Sequence, residues 1–147
     1  MVKIVALFIA SLLIACDSKN TGANSNNDVD MKISESVELR NLGNEKANLG
    51  DYQGAILDYN KAILSDPNCS KCYSNRGNAK RLLNDFQGAI NDCSKAIDLD
   101  NINSSAFINR GLAKIESGNS TDGCSDIKKA IELGDQKALK ILNLYCN

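Results

Sequence analysis

The chain has 147 residues, with 17 Lys and Arg against 18 Asp and Glu for a formal charge of −1, and it contains no His and no Trp. That length holds one modest domain, the charge lacks the basic footprint of a nucleic-acid binder, and the absence of imidazole removes His-based triads, general bases and metal ligands. With one Pro and 5% aromatic residues, and with Ala, Leu, Ile, Asn and Lys dominating, the composition favours helices over a sandwich or barrel.

At the start, Lys3 precedes an apolar run, Ile4 to Ala15, broken only by Ser11. The run is shorter than the about 20 residues of a membrane-spanning helix, so residues 1–15 read as a secretory leader. Leu13-Ile14-Ala15-Cys16 then resembles the lipobox of bacterial lipoproteins, with Ile14 where Ser or Ala is usual. The resemblance implies cleavage ahead of Cys16, diacylglycerol on its sulfur and an acylated amino terminus. The product would be lipid-anchored to a membrane of the bacterial cell envelope, in a leaflet left open. Several acyl chains make such anchoring stable where one is marginal. Residues 16–33 are rich in Asn, Ser and Asp and carry too few apolar groups to offset the entropy of ordering, which predicts a disordered tether.

Shifting the remainder by 34 residues brings identical residues into register: Asn41, Asn75 and Asn109; Gly43, Gly77 and Gly111; Lys46, Lys80 and Lys114. The same shift aligns Asp58, Asp92 and Asp126, then Lys61, Lys95 and Lys129, Ala62, Ala96 and Ala130, and Ile63, Ile97 and Ile131. A 34-residue period with helical spacing resembles the tetratricopeptide repeat, which pairs two antiparallel helices and stacks the pairs. The resemblance implies an all-α solenoid over residues 34–147, with three helix-turn-helix hairpins at about Ser36–Cys69, Ser70–Asn103 and Ser104–Lys137. A capping helix would follow, running to Cys146. Glycine and alanine at the repeated positions permit close helix approach, and Asp51, Asp85 and Asn119 are placed to cap the second helices. The Asp58-Lys61, Asp92-Lys95 and Asp126-Lys129 spacings read as solvated i,i+3 pairs on those helices.

With Cys16 lipidated, five thiols remain. Cys124 and Cys146 fall opposite each other across a turn near Gly134 and predict a disulfide. Cys69 and Cys72 form a Cys-x-x-Cys at the junction of two hairpins, either a structural disulfide or a free pair. Zinc would need further ligands and there is no histidine, so no metal and no cofactor is expected. Cys93 falls on an inward face as the unpaired thiol.

In the resembled family the first helices line a concave groove that holds a peptide or a partner's helix. Here the groove candidates are Arg40, Asn44, Lys71, Asn75, Asn78, Arg81 and Asn109, a polar surface with positive bias. Their amides suit a peptide backbone and the arginines a carboxylate. Some family members grip a carboxyl terminus with five polar residues. Arg40, Asn44 and Asn75 fall at three of those places, while Ser105 and Asn109 stand at the two remaining basic ones. Asn41, Asn75 and Asn109 also fit a scaffold role, as a repeated consensus. The reading is a non-enzymatic, membrane-tethered interaction module for a protein or peptide partner, with self-association left open. The alternatives are a thiol-active envelope protein using Cys69 and Cys72, or a structural surface protein without a defined ligand.

Overall fold

A computed structural model of the chain describes residues 25–146. The leader and Cys16 lie outside these residues. Seven helices follow one another: α1 (Ser25–Asn48), α2 (Tyr52–Ser65), α3 (Ser70–Leu82), α4 (Phe86–Leu99), α5 (Ser104–Glu116), α6 (Ser120–Glu132) and α7 (Gln136–Tyr145). No strand occurs among the described residues. Consecutive helices pair into three hairpins, and the second helix of each packs on the first helix of the next. First helices also touch one another, α1 with α3 and α3 with α5, which makes them the inner, concave layer.

Local chemistry explains the punctuation. Asp51, Asp85 and Asn119 each accept a backbone N–H three residues on, from Gly54, Gly88 and Asp122, satisfying a donor that the helix leaves orphaned. The turns inside the hairpins need a left-handed residue at one register position. Gly50 and Gly118 supply it at φ 83° and 96°, and Asn84 does so in the second hairpin at φ 63°.

Packing is tight where the repeat places small residues. A Cβ on Gly43 would stand 2.5 Å from Tyr59 Cε1, one on Gly77 2.6 Å from Cys93 Sγ, and one on Gly111 2.8 Å from the Gly123 carbonyl oxygen. Ala62, Ala96 and Ala130 are fully buried. Phe107, Ile127, Ala130 and Ala138 form the core beneath α7, which closes the last hairpin.

Two expectations are corrected. The tether was expected to run to residue 33, yet Ser25–Ile33 is helical and continuous with α1. Its side chains from Asn26 to Glu35 are exposed, so tertiary packing does not hold it. Extending an existing helix adds one hydrogen bond per residue fixed without a new nucleus, and Asp28 in the first turn suits the helix dipole. The aspartates of the second helices are not chiefly solvated i,i+3 partners: only Lys61 stays within ion-pair distance of its aspartate, at 3.7 Å from Asp58. Asp58, Asp92 and Asp126 are buried, at 2%, 6% and 6% exposure, and face lysines of the first helices. Lys80 Nζ lies 2.8 Å from Asp92 and Lys114 Nζ 2.7 Å from Asp126, whereas Lys129 turns to Glu132. A buried carboxylate left unpaired is far costlier than an exposed one, so the pairing across the hairpin wins over the i,i+3 contact.

Candidate peptide-binding groove

Two adjoining cavities open on the concave layer. The larger, about 340 Å³, lies between α1, α2 and α3 and is lined by Asn44, Ala47, Asn48, Tyr52, Tyr59, Asn75, Asn78, Ala79 and Leu82. The smaller, about 260 Å³, is lined by Arg40, Asn44, Lys71, Ser74, Asn75, Asn103 and Ser105. Asn44 and Asn75 belong to both, so the groove is one surface with a tyrosine-floored end rimmed by amides and a cationic end.

Its centre is a small amide network. Tyr59 donates its hydroxyl to Asn44 Oδ1 at 2.9 Å, and Asn75 Nδ2 donates to the same oxygen at 2.7 Å. With that oxygen taken twice, Asn44 Nδ2 and Asn75 Oδ1 are the donor and acceptor presented to a ligand. Burial pushes the Tyr59 phenol up to about 12, against a smaller lowering by Arg40, which keeps it a proton donor at neutral pH. Tyr59 lies beneath Gly43, and the missing Cβ there is what lets the ring sit under α1.

The seven groove candidates divide. Arg40, Asn44, Lys71, Asn75 and Asn78 line the cavities. Arg81 and Asn109 line neither and are engaged within the array. Arg81 pairs with Glu116 at 2.6 Å and donates to Asn78 at 3.1 Å, with its side chain 14% exposed. Asn109 donates to the Ser74 carbonyl and hydroxyl at 3.3 and 3.2 Å, tying α5 to α3. Arg40 donates to the neighbouring Asn41 at 3.2 Å, and Lys71 is exposed. The cationic end therefore belongs to the first two hairpins. Sequence reasoning overlooked the floor residues Tyr52 and Tyr59 and the wall residue Asn103. It also passed over Ser36, Ser70 and Ser104, although these three recur in the same 34-residue register.

The cysteines fall at the junction of the first two hairpins, inside the second and at the C-terminal end of the array. Cys124 and Cys146 are joined, pinning the end of α7 to the start of α6, with Cα atoms 5.7 Å apart. Cys69 and Cys72 are joined at the start of α3, beside Lys71. Cys93 is free and buried, and burial with Asp92 nearby pushes its thiol up to about 12. Among the described residues no group of His, Cys, Asp and Glu could hold a metal ion, and no helix is long and apolar enough to cross a membrane.

Comparison with known proteins bears on this surface. The sequence model of the tetratricopeptide repeat matches residues 41–69 and 70–103. A comparison with curated protein sequences found no match. Among solved structures, the first TPR of Spaghetti (RPAP3) bound to HSP90 peptide SRMEEVD is similar with a TM-score of 0.72 and 26% identity, over 77% of this chain and 91% of that one. The second TPR domain of human RPAP3, in complex with HSP70 peptide SGPTIEEVD, gives 0.70 and 26% over 81% and 98%. The yeast Sti1 TPR2B domain in its pHsp70 complex gives 0.71 and 28% over 76% and 94%. Residues 41–103 therefore match the tetratricopeptide repeat, and the described residues fold as the solenoid of those peptide-bound domains.

Proposed function

We propose that this chain is a lipid-anchored adaptor of a bacterial cell envelope whose groove binds a peptide or protein segment bearing a carboxylate. One observation carries the binding half of this reading: Arg40 and Lys71 share a cavity with the Asn44–Asn75 amide pair, beside a cavity floored by Tyr52 and Tyr59. A guanidinium and an ammonium hold a carboxylate by charge-assisted hydrogen bonds, the amides meet the peptide backbone, and the tyrosines supply apolar surface with a polar rim. Two similar structures hold peptides ending in Glu-Glu-Val-Asp, an acidic terminus of the same chemistry. This chain has Ser105 and Asn109 where the resembled clamp is basic, so the grip comes from the first two hairpins. The anchoring half rests on the Leu13-Ile14-Ala15-Cys16 pattern behind its apolar run. Nothing in the groove calls for catalysis: its cations and amides are arranged to hold a ligand.

The test uses the full chain expressed in a bacterium and fed an alkyne-tagged palmitate. Label should enter wild type and not Cys16→Ser; equal labelling removes the anchor from the proposal. Photocrosslinking in the same cells compares wild type with Arg40→Glu plus Lys71→Glu, changes at a half-buried and an exposed position that carry the groove's positive charge. A protein captured by wild type and lost in the variant establishes the groove. Equal capture moves binding to another face.

A further inference from the structure

The repeat register assigns the same task to different chemistry at the start of α3 and of α5. Asn103 caps α5, its Oδ1 accepting from Ala106 N at 3.1 Å. The residue 34 places earlier is Cys69, which caps α3 with a sulfur accepting from Cys72 N at 3.1 Å. Sulfur is a weak acceptor. Both turns share the backbone bond from this N–H to the cap carbonyl, at 3.0 Å, and what α3 has in place of the amide cap is the covalent bond between the cap residue and Cys72, the counterpart of Ala106. A reversible bond thus stands where the next hairpin has a hydrogen bond.

Lys71 lies inside the loop that this bond closes, and it is the second cation of the groove. Its neighbour Ser70 donates to the Ala96 carbonyl at 2.9 Å and accepts from Asn103 Nδ2 at 2.8 Å, and Asn103 is a wall of the same cavity. On the other side the Ser36 hydroxyl of α1 lies 3.7 Å from Cys72 Sγ. The first turn of α3 therefore connects the cationic cavity to α1, α4 and α5.

We propose that the Cys69–Cys72 disulfide is a redox clasp on the groove: oxidised, it fixes the turn that carries Lys71, and reduced by a dithiol, it releases that turn and loosens the hold on an anionic ligand. This rests on the groove reading above. Cys72 is fully buried while Cys69 is partly exposed, so a thiolate of the reductant attacks Cys69 Sγ. The Cys69–Cys72 bond breaks, and Cys72 leaves as a thiolate that takes up a proton. The second thiolate of the dithiol then attacks the mixed disulfide and releases Cys69. Two electrons pass to the cysteine pair, and the reductant ends as its own disulfide. The Cys124–Cys146 bridge lies at the far end of the array and does not line this cavity.

The test measures binding of fluorescein-labelled SRMEEVD to the full chain, oxidised and after dithiothreitol. Acylation of Lys71 by an N-hydroxysuccinimide ester, read by mass spectrometry, is followed in parallel. Reduction should weaken probe binding by about threefold, the scale of one exposed ion pair, and change the Lys71 acylation rate. Cys69→Asn with Cys72→Ala, which gives α3 the cap of α5 and keeps the Cys124–Cys146 bridge, should bind as oxidised wild type does and ignore dithiothreitol. Equal binding and equal acylation in the two redox states of wild type overturn the clasp. A response to dithiothreitol of the same size in the double variant also overturns it, since only the distant bridge is then reduced. If the probe binds in neither state, the groove reading loses its support and acylation alone decides the clasp: a redox-independent rate overturns it, and a redox-dependent rate seen only in wild type upholds it.

Discussion

The first hairpin and the two behind it solve the same electrostatic problem unequally. In the second hairpin Asp92 receives Arg76 through two nitrogens, at 2.8 and 2.6 Å, together with Lys80. In the third, Asp126 receives Arg110 at 2.9 and 2.7 Å together with Lys114. Each arginine also reaches back to the preceding hairpin, Arg76 to Asn60 at 2.7 Å and Arg110 to Ser94 at 3.2 Å. In the first hairpin that register position is Leu42, 44% exposed, and Asp58 keeps only Lys46 at 2.6 Å and a distant Lys61 at 3.7 Å. The Lys46 contact lacks hydrogen-bond alignment at Asp58 Oδ2. The difference teaches what the arginine is for. It is a seam between hairpins, present only where the described array has a hairpin to its N-terminal side.

The largest expected effect sharpens this contrast. Asp126→Ala strands Arg110 and Lys114 and should cost about 3–5 kcal/mol, whereas Asp58→Ala leaves a partly exposed Lys46 that can turn to water and should cost about 1–2 kcal/mol. Urea denaturation measures both, and equal costs would break the comparison. The two ends differ next in closure, since the last hairpin has α7 and its disulfide across a separation of 22 residues while the first has no counterpart among the described residues. Cys124→Ala with Cys146→Ala should lower stability by about 3 kcal/mol on the chain-entropy estimate and speed amide exchange in α7 while leaving α1 unchanged.

A smaller effect lies under the repeated glycines, where the three hairpins place Tyr59, Cys93 and Ile127. The Cys93 thiol rises from 9.0 to about 12 and the Tyr59 phenol from 10.0 to about 12. Both raised acids hold protons in the fold that the unfolded chain loses, so their contribution is intact below pH 9 and falls away between 9 and 12. By pH 10 the Cys93 part amounts to about 1 kcal/mol. Cys93→Ala should flatten the alkaline fall from pH 9 upward, and Tyr59→Phe only from pH 10, as followed by stability against pH; an unchanged slope in Cys93→Ala would deny the thiol this part. The smallest effect comes from Leu42→Arg, which offers Asp58 the partner its counterparts have. It should raise stability by less than about 1 kcal/mol, because no preceding hairpin receives the other end of the fork. A larger gain would show that the carboxylate contact alone accounts for the seam.

Much of the scaffold is legible because its cause is periodic. Identical residues at a spacing of 34 mark the hairpins, and Asp51, Asp85 and Asn119 announce their caps. The buried ion pairs were misread because i,i+3 spacing is visible along one helix, while Lys46 and Asp58 meet across two. The better signal was present, since both the lysines of the first helices and the aspartates of the second recur in every copy. In the groove, residue type and register placed Arg40, Asn44, Lys71, Asn75 and Asn78 but could not show that Glu116 occupies Arg81 or that Ser74 occupies Asn109. Those pairings depend on how far α5 sits from α3, a distance no single repeat encodes. Tyr59 was hidden for a related reason: its counterparts Cys93 and Ile127 are plain core residues.

The outward run of α1 has a mechanical consequence. Ser65 donates to Glu35 at 2.9 Å, so the hairpin grips α1 from that residue onward, and the ten residues of Ser25–Ser34 continue it as a strut of about 15 Å. A strut fixes direction as well as distance. The mouth of the groove therefore keeps a set distance and direction from Ser25, where the described part of α1 starts.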